Sequence, residues 1–462
     1  MSLAANYRPI SLTSILLKIL ERIVRTQMVA YMAENSLFNS SQHGFRESRS
    51  CISVLLDTYD NILNCIAKGN NCVDMVYLDF SKAFDKVDHG VLLHKLKKHG
   101  FSGKLGVWLH NFLSDRTHHV RIQGGISDSQ PVISGVPQGT VLGPLLFLIL
   151  MCDISDKVRH SNIVSFADDT RLYAEIAEVD DCHYLQHDLD RVYEWADINN
   201  MEFNTKKFQY VCYHVKGNLS NIYSTPDFNI VNPSSCVKDL GVFMSADCTF
   251  DEHINLTVRK CNKLCGWILR TFSCREPVLM ITLFKSLVLS RLDYGSQVWN
   301  PHLIKHINAI EGVQRSFTRS ILGLRDLDYA ARLKKLNLYS LQRRRERYII
   351  LYVWKILENH VPNFKIPVTA SYSDRRGRLC DLKHVSYGRV GTLLHQSFKY
   401  KGCRLFNSLP LSLRNMSGCP LSSFKMALDK FLSTIPDIPG QTNLNNSLDG
   451  IVCGGTSYDL VC

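Results

Sequence analysis

The sequence predicts an α+β protein, and three observations carry that prediction. Apolar, β-branched runs such as "CVDMVYLDF" and "IVSFADDTRLY" alternate with helix-like stretches through about residue 250. From roughly Glu252 onwards the pattern is mostly helical. An apolar fraction of 45% with 21% charged residues belongs to an ordinary globular chain, and 462 residues suffice for two or three domains.

Taken in order, helical periodicity runs from Leu12 to Met32 and from Ile52 to Ile66, separated by the polar loop "NSSQHGFRESRS". The first strand ends in "MVYLD" at Asp79. In the next stretch, "SKAFDKVDHGVLLHKLKKHG", Asp88 is a fair N-cap for a helix stopping near Gly100. "HHVRIQGGISDSQPVISGVPQG" reads as a hairpin opening into an apolar helix from Thr140 onwards. A second hairpin turns at "FADD", a helix covers about Leu185 to Ile198, and strands lie near Tyr210 and Leu240. The expected domains are 1–250, 251–360 and 361–462, with a disordered tail.

Charge and cysteine usage narrow the class. A net charge of +12 favours polyanionic partners, nucleic acid among them. The segment 331–350 alone carries net +6, through Arg332, Lys334, Lys335, Arg343, Arg344, Arg345 and Arg347 against Glu346. It reads either as a solvated helix face or as phosphate contacts along an RNA or RNA–DNA duplex. The apolar run Val141–Cys152 is too short to span a bilayer, and "ILLKILERIV" is interrupted by Lys18, Glu21 and Arg22, unlike a signal peptide. The expectation is an intracellular protein without a membrane partner. Sixteen cysteines form no C-x-x-C pair. The Cys261 and Cys265 pair and the Cys182, His183, His187 group read as ordinary helix residues rather than zinc ligands.

The residues that could carry chemistry are acidic. Asp79 ends one apolar run, as Asp168 and Asp169 end another. Two neighbouring strands of one sheet would bring these three carboxylates together, and such a group is unstable without cations. Magnesium takes oxygen ligands and shares them with substrate phosphates. Two ions would suit an in-line phosphoryl transfer. Asp85 and Asp88 compete for the role of Asp79 but lie past the strand end. Between the carboxylates, "SGVPQGTVLGPLLF" sets Gly135 and Gly139 around Pro137 and Gln138 ahead of a helix, matching no known phosphate-loop fingerprint.

In this order and spacing, "YLDFSKAFDKVDH", "SGVPQGTVLGPLLF" and "FADD" resemble the central motifs of reverse transcriptases of non-LTR retrotransposons, the LINE elements of jockey type. "NYRPISLTS" and "QHGFRESRSC" resemble the finger motifs. "WADINNMEFNTKKFQYVCY" and "VKDLGVFMSADCTF" resemble the family's segment beyond the aspartate pair. "SRLDYGSQVWNP", "IEGVQRS" and "RLFNSLP" are similar to the region beyond the polymerase, so the resemblance covers roughly residues 6 to 430.

The resemblance implies a right-hand polymerase: fingers and a palm with an antiparallel sheet, an α-helical thumb and a C-terminal helical region. It implies RNA-directed DNA synthesis by two Mg2+ ions (Mn2+ a substitute) held by Asp79, Asp168 and Asp169 with the Phe80 carbonyl. Phe84 would exclude the sugar 2′-hydroxyl, and Gln138 and Gly139 would meet nucleotide and template. Arg46 and Arg49 would hold the triphosphate, Lys207 would pass a proton to pyrophosphate, and Leu240 and Gly241 would grip the primer. Arg343, Arg344, Arg345 and Arg347 would contact nucleic acid. The partners implied are an RNA template, a DNA primer or RNA–DNA hybrid, and dNTPs, in a cytoplasmic ribonucleoprotein or the nucleus.

Relative to full-length elements the chain reads as an N-terminally truncated copy without its endonuclease, which would then be supplied in trans. Two rivals stand beside the polymerase: an inert RNA-binding remnant and a maturase-like splicing cofactor. The intact carboxylates speak against the first, and the C-terminal matches against the second.

Overall fold

The computed structural model describes residues 10–68, 72–122, 124–214, 221–368, 378–381 and 388–439. The expected tail disorder and the first part of "NYRPISLTS" lie outside these residues. By packing, the chain divides into two compact units, one of residues 1–50 and 70–234, the other of 51–69 and 235–462.

The first unit is α+β, as predicted. Its centre is a four-stranded antiparallel sheet of β1 (Cys72–Leu78), β2 (Asn162–Phe166), β3 (Asp169–Ile176) and β4 (Gln209–Tyr213), in the order β2-β3-β1-β4. β1 is buried along nearly its whole length, which explains why its sequence is an apolar run rather than an alternation. Helices α1 (Ile15–Glu34), α2 (His89–Lys98), α3 (Gly103–Leu113), α4 (Gly143–Leu150) and α5 (Val179–Ile198) complete the unit. One core joins Val76, Leu78 and Leu172 of the sheet to Leu146 and Phe147 of α4 and Leu185, Leu189 and Trp195 of α5.

Local signals explain most boundaries. Asp88 caps α2, its Oδ1 accepting from Val91 N at 2.9 Å. α4 begins at Gly143 rather than Thr140, because the Thr140 hydroxyl turns back to accept from Gly143 N at 3.1 Å. α5 starts at Val179, six residues before the predicted start, where Glu178 and Asp181 form a capping box. In place of one long hairpin, residues 117–131 form two two-residue pairings, Thr117–His118 with Gln130–Pro131 and Arg121–Ile122 with Gly125–Ile126.

The second unit is helical apart from short strands. β5 (Cys236–Asp239) and β6 (Val242–Ser245) form a hairpin that turns at Leu240 and Gly241. α6 (Asp251–Thr271), α7 (Ile304–Arg319), α8 (Leu341–Leu357), α9 (Phe398–Asn407) and α10 (Leu421–Ser433) come after it in the chain. The Cys51–Ala67 helix joins them through Tyr59, whose hydroxyl donates to Cys248 O at 2.8 Å.

α8 corrects the reading of the basic segment. Arg343, Arg345 and Arg347 are buried, and so is Arg332 before the helix. Arg343 donates to the carbonyls of Leu432, Ile435 and Pro436, closing the C-terminal end of α10. Arg344 grips both oxygens of Asp293, Arg347 pairs with Asp429, and Arg345 Nε reaches Asn300 Oδ1 at 3.1 Å. These guanidinium groups bind α8 to its neighbours, and of the four only Arg344 keeps a part-exposed side chain. Lys334 and Lys335 are the exposed cations of the segment.

Candidate active site

The sheet sets the three aspartates at the ends of adjacent strands. Leu78 of β1 lies opposite Thr170 of β3, the last pair of that register; Asp79 follows Leu78 and Asp169 precedes Thr170. β2 and β3 pair through Phe166 and Asp169, leaving Ala167 and Asp168 as the two-residue turn. Asp168 is half-buried and Asp169 exposed, so a ligand from solvent can reach both. The set offers oxygen donors only, which suits a hard divalent cation better than a thiophilic one. Asp85 and Asp88 sit elsewhere: Asp85 Oδ1 accepts from Gln138 Nε2 at 2.7 Å, and Asp88 caps α2.

The turn is strained, and a neighbouring loop holds it. Ala167 has φ +58°, a backbone state that costs an L-residue about 1–2 kcal/mol. Gln42, buried in the loop before the Cys51–Ala67 helix, clamps it from both sides. Its Oε1 accepts from Ala167 N at 2.9 Å and its Nε2 donates to Ala167 O at 3.1 Å. His43 N donates to Ser165 O at 2.8 Å, and Ser165 N to Ser41 O at 2.9 Å. Gly44 packs so tightly here that a Cβ would come within 2.3 Å of Ala167 N, so only glycine fits. The loop's arginines fold back on it. Arg46 donates to Asn39 O at 2.6 Å and stacks on Phe38, while Arg49 donates to Ser40 O and Gln42 O. Burial pulls Arg46 below its ordinary pKa. His43 is pushed down to about 3 by burial and by Arg49, Arg171 and Arg46, so it is neutral.

Around Asp79 the packing is aromatic and basic. Lys207, in the short turn Thr205–Lys207, donates to Asp79 Oδ2 at 2.8 Å, an exposed pair. Phe80 is buried, stacked on Phe203 at 4.4 Å and bridged to it through the backbone. Phe84 is half-buried, its ring stacked on Phe147 at 4.4 Å and meeting Phe45 edge-on at 6.0 Å. Val136 N donates to Phe84 O at 2.8 Å, which ties the "SGVPQG" loop to the "AFD" turn. Gly135, at φ +87°, passes so close to Asp85 that a Cβ would meet its carbonyl at 2.7 Å. Gln138 is half-buried and Gly139 exposed on the same loop.

Two residues of this arrangement escape sequence reasoning. Gln42 has no local signal beyond its place in the "QHGF" stretch. Glu21 looks like a solvated charge interrupting an apolar run, yet it is fully buried and accepts from Val141 N at 2.7 Å and Leu142 N at 2.9 Å, anchoring the start of α4. The other expected site residues, Leu240 and Gly241, form the turn between β5 and β6 in the second unit. Tyr294 OH donates to Leu240 O at 2.6 Å there. A cavity of about 460 Å³ beside that turn is lined by Lys238, Lys260 and Arg291, without a carboxylate.

Comparison with known proteins finds the following similarities. The probable RNA-directed DNA polymerase from transposon X-element of Drosophila melanogaster is 29% identical over 354 residues, covering 73% of this chain and 39% of the relative. The RNA-directed DNA polymerase from mobile element jockey of the same organism is 27% identical over 350 residues, covering 72% and 38%. The chain thus spans about two-fifths of these relatives' length. An apo telomerase from Candida tropicalis aligns over 75% of this chain and 55% of its own, at 10% identity and a TM-score of 0.42. The profile of the family described as "Reverse transcriptase (RNA-dependent DNA polymerase)" matches residues 3–244, a span that holds Asp79, Asp168, Asp169 and the loop that clamps them, and the chain belongs to that family.

Proposed function

We propose that the chain is an RNA-directed DNA polymerase of a non-LTR retrotransposon, adding deoxynucleotides to a primer 3′-hydroxyl on an RNA template. The single observation that carries this is that Asp79 follows the last residue of β1, which pairs with Thr170, while Asp168 and Asp169 stand at the turn into the adjacent β3. Asp79, Asp168 and Asp169, with the Phe80 carbonyl, would hold divalent cations, Mg2+ by the hardness of the donors and Mn2+ as a substitute. When bound, such ions supply Lewis acidity to the attacking and leaving oxygens.

The remaining roles fall to the chain's own side chains. The Asp79 carboxylate orients the Lys207 ammonium, a proton donor for the departing pyrophosphate. Phe84, fixed by its stack on Phe147, presents a rigid ring edge against a ribose 2′-hydroxyl. Arg46 and Arg49, on the loop that clamps the Ala167 turn, would meet the triphosphate, and Gln138 and Gly139 the nucleotide and template. The turn at Leu240 and Gly241 would grip the primer, with the basic cavity at Lys238, Lys260 and Arg291 taking its phosphates. The first unit would serve as fingers and palm, and the helices from Asp251 as thumb and C-terminal region.

The test is primer extension by the purified chain on an RNA template with a DNA primer and Mg2+, beside an Asp168→Asn, Asp169→Asn control. Template-dependent extension lost in the control supports the reading. No extension from a folded chain that still binds the hybrid overturns it.

A further inference from the structure

The catalytic strand carries a second cluster at its other end, and the polymerase reading gives that cluster no task. Side chains alternate along β1, so Cys72, Asp74, Val76 and Leu78 share the face that packs into the core against α5. Asp74 is the cross-strand partner of Cys212 on β4. The sulfurs of Cys72 and Cys212 and a carboxylate oxygen of Asp74 lie within 4.8 Å of one another, and all three residues are buried.

A carboxylate at 0% exposure in an apolar core is costly unless a cation compensates it. Among the described residues no lysine, arginine or histidine pairs with Asp74. Its Oδ2 instead accepts from Asn221 Nδ2 at 2.6 Å and from Tyr223 OH at 2.7 Å. Those two bonds fix the carboxylate plane, while Oδ1 lies 4.0 Å from Cys72 Sγ. A third thiol stands alongside. Cys182, in the first turn of α5, is half-buried against the same core and shares the Tyr223 hydroxyl; burial, then the charge of Asp74, pushes its thiol up.

We propose that Cys72, Cys212 and Asp74, with Cys182 as fourth ligand, form a structural site for a thiophilic divalent cation of the zinc type. Bonds of about 2.3 Å to sulfur and about 2.0 Å to oxygen separate tetrahedral ligands by about 3.5–3.8 Å, so Cys72, Cys212 and Asp74 need only a small contraction to close, and Cys182, outside that group, has to swing in from α5. Tyr223 and Asn221 supply the outer hydrogen bonds that hold a ligating carboxylate in one orientation. Binding converts three thiols to thiolates and releases their three protons. Cys72 precedes Asp79 by about 23 Å of extended strand, so the ion touches no reacting atom. It fastens the start of β1 to β4 and α5, the scaffold from which Asp79 projects. Sequence spacing conceals the site, because its ligands come from two strands and a helix far apart in the chain.

The experiment is Co2+ titration of the reduced, chelator-stripped full chain, read by the near-ultraviolet thiolate-to-cobalt charge-transfer band, with Zn2+ competition afterwards. The expected result is one equivalent of tightly bound ion giving the band, which Zn2+ bleaches. Cys72→Ser and Cys212→Ser abolish the band, and Cys182→Ser weakens it in proportion to the lost thiolate. Tyr223→Phe, which removes only an outer hydrogen bond, weakens affinity about 10–100-fold. Should Cys72→Ser or Cys212→Ser not fold, Cys182→Ser and Tyr223→Phe decide the matter. Asp168→Asn, Asp169→Asn leaves the band unchanged, as does Cys261→Ser, Cys265→Ser, which separates this site from the polymerase centre and from other buried thiols. A native chain without the band, a band undiminished in the cluster variants, or a Cys72–Cys212 disulfide in place of metal binding overturns the proposal.

Discussion

Gln42 holds Ala167 by both its backbone N–H and its carbonyl, at 2.9 and 3.1 Å, and Ala167 is the left-handed residue on which the aspartate turn depends. Replacing Gln42 by Leu removes both bonds from a buried place and frees the turn to relax. The expected loss is about 2–4 kcal/mol of stability, from two unmade buried hydrogen bonds. Single-turnover primer extension should slow by more than tenfold with dNTP affinity little changed, because under the proposed function the displaced group is a metal-binding carboxylate rather than a nucleotide contact. Unaltered turnover would mean that the hairpin keeps its shape unaided.

Much of this site was legible in the sequence, for a physical reason. Asp79 follows an apolar strand, and Asp168 and Asp169 sit at the turn between two others, Asp168 in the turn and Asp169 opening β3; both are local patterns, and the sheet then sets those strands side by side. The features that escaped depend on contacts between distant segments. Glu21 looks solvated until α4 presents two free N–H groups to it. The arginines of α8 look like a charged face until Asp293, Asp429 and the end of α10 arrive to receive them. A charge count treats each side chain as solvated, and in α8 that assumption fails.

Lys207 tests the proton-transfer role. Its pair with Asp79 is exposed, and such pairs contribute at most about 1 kcal/mol, so Lys207→Ala should leave the unfolding midpoint nearly unchanged. Loss of a general acid should slow single-turnover incorporation about 100-fold or more. Lys207→Arg, which keeps the charge but gives up its proton far less readily, should restore little of that rate. Full activity in Lys207→Arg would reduce the residue to a counter-charge for Asp79.

For α8, Arg343→Met and Lys334→Ala, Lys335→Ala should part company. Arg343→Met leaves the carbonyls of Leu432, Ile435 and Pro436 without their donor and should lower stability by about 2–3 kcal/mol. The salt dependence of RNA binding should stay as in the parent chain, since no solvent-facing charge is lost. The lysine pair is exposed, so its removal should leave stability within about 0.5 kcal/mol of the parent. A flatter salt slope in Arg343→Met, measured on folded protein, would return that arginine to the nucleic-acid interface.

Acid sensitivity should trace to two neutral histidines. His43 is held down to about 3, by burial first, and His253 to about 4, by burial and then Lys260; His253 Nδ1 accepts from Phe243 N. Both folded values lie below the unfolded value of about 6.5, so between them the unfolded chain binds more protons. Their contribution is therefore fully present above about pH 6.5 and is lost as pH falls towards 4 and 3. Denaturation midpoints from pH 7 to pH 4 should fall less steeply in a His43→Gln, His253→Gln chain than in the parent. Equal slopes would assign the acid response to carboxylates.

Phe84 is the test of sugar selection, because its geometry serves two readings at once. The ring is stacked on Phe147 at 4.4 Å, which is core packing, yet it remains half-exposed, which a ring meeting a substrate needs. Truncation separates the two. Phe84→Ala gives up a stacked pair and part of its burial, costing about 1–3 kcal/mol of stability under either reading. Only a ring standing against the ribose also changes which nucleotide enters, and the relevant measure is the ratio of kcat/KM for dNTP over rNTP. That ratio should fall by about 100-fold, corresponding to about 2.7 kcal/mol of lost discrimination, chiefly through faster rNTP incorporation. Phe84→Tyr keeps the bulk and should keep the ratio. If Phe84→Ala lowers stability and leaves the ratio alone, the ring packs against Phe147 and does nothing more.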